Sequence, residues 1–136
     1  MGNESRFTEW EYPEIEDGIP TKYHWVVKNK DCFTMGYKTD IGAYTYINAK
    51  HGVVIEDYVQ IGSHCSIYSI STIDNKKGRV LLKKGCKIGS HSIIMPGVTI
   101  GENATIGAFS FVDKDVPANV IAFGIPVEIK RELQNR

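Results

Sequence analysis

From residue 82 to residue 117 the chain reads in sixes. The hexads open at Leu82, Ile88, Ile94, Ile100, Ile106 and Val112, always on an aliphatic residue. Their fifth positions are Cys86, Ser92, Val98, Ala104, Ser110 and Val116, all small or medium in size. Gly follows the opener at 89, 101 and 107. An α-helix would return apolar residues at spacings of three and four, so a period of six excludes it. A fixed short period marks a solenoid, and six residues is the period of a parallel β-helix. Each hexad supplies one short strand and one corner, and three hexads close a triangular coil. The opener points into the prism and stacks on its counterpart three hexads on. The fifth residue sits at the turn, where there is no room for bulk. Gly or Asn is expected where the corner backbone takes a positive φ. A coil buries its flat side only against the next coil, so stability requires several coils.

Upstream, hexads open at Ile41, Ile47, Ile55, Ile61, Ile67 and Ile73. The step from Ile47 to Ile55 is too long and inserts residues around Lys50-His51-Gly52. The step from Ile73 to Leu82 is longer still and inserts the polar run Asp74 to Arg79. The expected fold is all-β, a left-handed parallel β-helix of about four coils over residues 38–117. Residues 1–37 form an N-terminal arm or cap, and residues 118–136 a C-terminal extension with a short helix from Val127. Stacking hexads three apart sets Ile47 against Ile67 and Ile88, and Ile55 against Ile73 and Ile94. Both insertions then emerge at one corner, one coil apart, and insertions gathered on one side mark a binding edge. His51, Thr72, Asp74 and Asn75 fall there, with His91 one coil further on. His51 suits the role of base, because an imidazole titrates near working pH.

The arm is acidic and aromatic, with Glu9, Trp10, Glu11 and Tyr12 followed by Glu14, Glu16 and Asp17. It has two readings. It covers the open strand edges of the first coil, or Trp10 and Tyr12 touch a substrate or a neighbouring subunit. The chain of 136 residues is one domain with a formal net charge of zero. No basic excess suggests nucleic-acid binding, and no apolar run reaches the length of a membrane span. Three cysteines, an odd number, argue against a disulfide framework and suit the cytoplasm. Cys65 and Cys86 occupy fifth hexad positions and read as small core residues. Lys76, Lys77, Arg79, Lys83, Lys84 and Lys87 form a basic cluster, read either as attracting phosphates or as a solvated face.

The run Ile88-Gly-Ser-His-Ser-Ile-Ile-Met-Pro-Gly-Val-Thr-Ile-Gly-Glu-Asn-Ala-Thr-Ile-Gly-Ala, with Val112-Asp-Lys-Asp-Val-Pro-Ala-Asn-Val-Ile-Ala-Phe-Gly-Ile-Pro, resembles the hexapeptide-repeat acyltransferases, in particular those that acetylate sugars and nucleotide-linked amino sugars. The resemblance spans roughly residues 38–133 and implies several things. The protein is a homotrimer with acetyl-CoA as co-substrate and no metal. The acceptor is a sugar or nucleotide-sugar, and the product serves surface-glycan synthesis. Coenzyme A lies in a groove between subunits, with backbone contacts at Ser90 and Ala108 and phosphate contacts at Lys114 and Arg131. Asp113 stands where the family often has Thr. Thr72 stands where the O-acetyltransferases of the family carry their catalytic His. That departure leaves His51 as the candidate base, or an amine acceptor that needs little base. Both favour N-acetylation of an amino sugar, with sugar O-acetylation and a non-catalytic trimeric scaffold as alternatives. The γ-class carbonic anhydrases share the prism, but the His pair they use, five residues apart, is absent from His24, His51, His64 and His91.

Overall fold

The computed structural model describes residues 7–133 and winds them into a triangular left-handed parallel β-helix. The first coil carries β1 (Val26–Lys28), β2 (Phe33–Met35) and β3 (Asp40–Ile41), one strand on each face. The second carries β4 (Tyr46–Asn48), β5 (Val53–Ile55) and β6 (Gln60–Ile61). The third begins with β7 (Ser66–Tyr68) and throws out a hairpin of β8 (Ile70–Ser71) and β9 (Lys76–Lys77). It then resumes with β10 (Val80–Leu82) and β11 (Lys87–Ile88). The fourth carries β12 (Ile93–Ile94), β13 (Thr99–Ile100) and β14 (Thr105–Ile106). A fifth turn adds β15 (Phe111–Val112), a parallel bridge from Val116 to Ile100, and β16 (Val120–Phe123). The antiparallel β17 (Glu128–Glu132) folds back on β16 and closes that edge.

The register builds three internal columns. On the first face Val27, Ile47, Ile67, Ile94 and Val112 stack in line. On the second, Met35, Ile55, Leu82 and Ile100 align, and on the third, Ile41, Ile61, Ile88, Ile106 and Ala122. Ile47, Ile67, Leu82, Ile94 and Ile100 are wholly buried. Each such side chain contributes about 1.5–3 kcal/mol by leaving water, which makes the columns the main source of stability. The fifth positions are buried as their size requires. Three of the hydroxyls among them are satisfied: Thr45 donates to the Gly62 carbonyl at 2.9 Å and Ser92 to that of Gly107 at 3.2 Å across the coils, and Ser110 to that of Gly107 at 2.6 Å within its own coil.

Several sequence expectations are corrected. Ile73 opens no hexad; it is 99% exposed at the hairpin tip. With that hexad removed, Ile67 pairs with Ile94 rather than Ile88, and Ile55 with Leu82. Strand pairing extends past the expected limits of 38 and 117, because β1 and β2 precede Lys38 and β16 follows Pro117. The segment expected as a C-terminal helix is β17, which forms because β16 offers it an open edge. The glycines after the openers do not hold positive φ. They let adjacent coils touch: a Cβ on Gly89 would lie 2.4 Å from the Ala108 nitrogen, and one on Gly101 2.3 Å from that of Ala118.

Residues Trp10, Asp17 and Gly18 are bonded to the first coil and the residues that join its strands. The Trp10 indole N–H donates to the Thr39 carbonyl at 2.9 Å, the Gly18 amide to Val27 at 2.8 Å, and the Lys30 amide to the Asp17 carboxylate at 2.6 Å. No helix among the described residues is long and apolar enough to cross a membrane.

Candidate functional site

Both insertions leave the prism at its first corner, between the first and second faces. Residues 49–52 bulge there in the second coil and residues 69–79 in the third. The expected shared corner is therefore present, although the stacking that predicted it was misplaced by one hexad. The two bulges are tied together. The Ser69 hydroxyl accepts the His51 amide at 2.9 Å and donates to the Asn48 carbonyl at 2.8 Å. Ser69 is fully buried, so these bonds are shielded from water. The Asn48 side chain continues the network. Its Oδ1 accepts from the Lys50 amide at 3.1 Å and from Asn29 Nδ2 at 3.3 Å, and its Nδ2 meets the Tyr46 hydroxyl at 3.5 Å. Tyr46 and Tyr68 stand on adjacent coils with ring centroids 6.0 Å apart.

The outer part of the corner is polar and exposed. The Ser71 hydroxyl bonds the Asp74 carboxylate and holds it below the usual carboxylate range, with Lys76 assisting at 3.7 Å. Thr72 and His51 are exposed, and Asn75 takes a left-handed turn at φ 55°. Among the described residues no hydrogen bond orients the His51 ring. Sequence reasoning missed Asn48 and Ser69; Asn48 lies directly after a hexad opener, and that position was the available signal.

His91 does not share this corner, contrary to expectation. It lies at the third corner, between the third face and the first face of the next coil. There His24, Tyr44, His64, His91 and Phe109 form a ladder, one ring per coil, with neighbouring centroids 5.9, 5.1, 4.7 and 4.9 Å apart. Ser90 and Ala108, the implied backbone contacts for coenzyme A, precede two of these rings. Their amide groups donate to no described residue, and Ala108 is exposed. Lys114 is exposed at the first corner after β15, and Arg131 is exposed on β17 opposite Ile121. One chain thus holds His51 and Lys114 at one corner, Ser90 and Ala108 at another, and Arg131 on the third face. Among the described residues no group of three His, Cys, Asp or Glu could hold a metal ion.

Residues 79–114 match the bacterial transferase hexapeptide (six repeats) family. The chain is 35% identical over 119 residues to the galactoside O-acetyltransferase of Escherichia coli strain K12, covering 76% of this chain and 59% of that protein. It thus spans less than two thirds of that relative. Its fold is similar to a galactoside acetyltransferase in complex with coenzyme A, with a TM-score of 0.75, 28% identity, and coverage of 81% of this chain and 60% of that one. It is likewise similar to AntD, an N-acyltransferase from Bacillus cereus in complex with dTDP and 3-hydroxybutyryl-CoA, with a TM-score of 0.69, 27% identity, and coverage of 84% and 79%. By its repeat, its fold and these relatives, the chain is similar to the hexapeptide-repeat, left-handed β-helix acyltransferases.

Proposed function

We propose that this protein transfers the acetyl group of acetyl-CoA to a sugar, and that the acceptor is an amino sugar, free or nucleotide-linked, used in cytoplasmic steps of surface-glycan synthesis. The observation that carries the reading is the doubled insertion at the first corner, which sets His51 beside a buried Ser69–Asn48 network. The acceptor amine attacks the thioester carbonyl. A nitrogen–carbon bond forms, the carbon–sulfur bond breaks, and coenzyme A leaves as the thiol. His51 takes the amine proton and passes it to the leaving sulfur, and no covalent enzyme intermediate is needed. Because His51 and the Ser90 and Ala108 amides occupy different corners of one chain, a complete site combines the first corner of one copy with the third corner of another. A trimer places such corners face to face across its grooves, and Lys114 and Arg131 meet the phosphates of coenzyme A.

Transfer to a sugar hydroxyl is the second reading, favoured by the 35% identity to a galactoside O-acetyltransferase. A hydroxyl needs a base more than an amine does, and Thr72 offers none. The test follows thiol release from acetyl-CoA with amino and neutral sugars and their nucleotide derivatives, for the wild type beside His51→Ala. Turnover confined to amino acceptors, reduced in the variant, is the expected result. Turnover of neutral sugars alone would establish O-acetylation. Neither turnover nor coenzyme A binding would leave a scaffold.

A further inference from the structure

The open end of the prism is not closed solidly by the arm. A cavity of about 600 Å³ lies between the arm and the first coil, within the usual range for small-molecule sites. Trp10, Tyr23 and Trp25 supply aromatic walls, and Glu9 and Glu11 supply carboxylates. The described lining contains no Lys or Arg. Lys22 stands over the Tyr23 ring at 5.2 Å and lines the adjoining groove instead.

Thr39 lines the cavity and is 3% exposed, and its occluded hydroxyl has no hydrogen-bond partner among the described residues. In later coils the same position is Val59, Cys86, Ala104 and Val120, none with a hydroxyl. The one hydroxyl in this column falls in the coil that faces the cavity. The wall is also built: the Trp10 indole is fixed by its bond to Thr39 and by edge-to-face contacts with Tyr12 at 4.7 Å and Tyr37 at 5.6 Å.

We propose that this cavity binds a small organic ammonium ion with an apolar body, at a site separate from the acyl-transfer corner. Ring faces attract a cation within about 6 Å. Carboxylates accept charge-assisted hydrogen bonds from N–H donors. A neutral or anionic molecule of the same shape gains less from every one of these groups. The site stands whether or not the chain acetylates an amino sugar, because none of its residues belongs to that corner.

The chain has two tryptophans, Trp10 and Trp25, and both line the cavity, so intrinsic fluorescence reports on it directly. Benzylamine at neutral pH is the probe, with benzyl alcohol and phenylacetate as neutral and anionic counterparts. Saturable quenching is expected, with benzylamine binding at least about tenfold tighter than either counterpart. Glu9→Gln with Glu11→Gln weakens it about tenfold. Unchanged circular dichroism and melting temperature exclude misfolding of the variants. Absence of saturable quenching, equal binding of the three probes, or variants that bind as the wild type does would each overturn the proposal.

Discussion

The imidazole rings of His64 and His91, one coil apart, stack with centroids 4.7 Å apart and planes 4° from parallel. Both residues hold a left-handed backbone, φ 58° and 65°, as do His24, Tyr44 and Phe109 in the same ladder. At the neighbouring second corner the left-handed positions go to Lys38, Tyr58, Gly85, Asn103 and Asn119. A left-handed backbone is unfavourable for residues other than Gly and Asn by about 1 kcal/mol. The third corner uses a ring at every coil despite this, so ring stacking at about 0.5–1.5 kcal/mol per pair offsets the strain.

That balance is measurable. His91→Ala removes two stacks and keeps the left-handed strain, so it should destabilise the fold by about 2 kcal/mol. His91→Gly also loses the stacks but relieves the strain, and should be about 1 kcal/mol more stable than the Ala variant. Urea unfolding of the two variants decides it; equal midpoints would mean that the backbone at 91 is not held left-handed.

Gly101 is required by contact rather than by φ. Its Cβ would sit 2.3 Å from the Ala118 nitrogen, which is main chain and cannot swing away. Gly101→Ala should cost about 3 kcal/mol. Gly97 faces open space at φ 84°, so Gly97→Ala should cost only about 1 kcal/mol. Thermal melts that rank the two the other way would refute the close packing of coils at this corner.

Burial pushes the Cys86 thiol up from 9.0 to about 12, with the Glu56 carboxylate adding to the rise. The unfolded chain releases this proton near its ordinary pKa and the folded chain does not. The contribution to stability is therefore complete below pH 9 and fades as pH rises from there through about 12. Cys86→Ala, which copies Ala104 in the next coil, should lose part of that alkaline dependence. In the native protein Cys32, which is exposed, should take up iodoacetamide at pH 8 while Cys86 does not. Rapid labelling of Cys86 would show that the prism opens.

Ser69→Ala leaves the His51 amide and the Asn48 carbonyl without the hydroxyl that joins them, a loss of about 1–3 kcal/mol. Hydrogen exchange at the His51 amide should speed up while that at Ile94, deep in the first face, stays slow. Unchanged exchange at His51 would mean that the corner is held by something other than Ser69.

The register of the long repeat was legible because each opener from Leu82 to Val112 has one chemistry and one burial, and a mistake of one residue would expose the whole set. Ile73 misled because an aliphatic residue at a plausible spacing looks like an opener. What distinguishes it is the β8–β9 hairpin, whose strands pair only with each other. The C-terminal strand was unreadable for a related reason: Val127 to Leu133 suits a helix locally, and only the free edge of β16 converts it to β17.

The sequence by itself determined the period, the three columns of aliphatic residues, the small corner positions and the presence of two insertions, because these are local and repeated. The tertiary structure alone decided which hexad lies on which. It joined His51 to Ser69, and placed Ser90, Ala108 and His91 at a different corner from His51. It also enclosed a cavity between Trp10 and Thr39. Those relationships depend on the summed length of every bulge around the coil, and one uncounted insertion rotates all later residues to the next face.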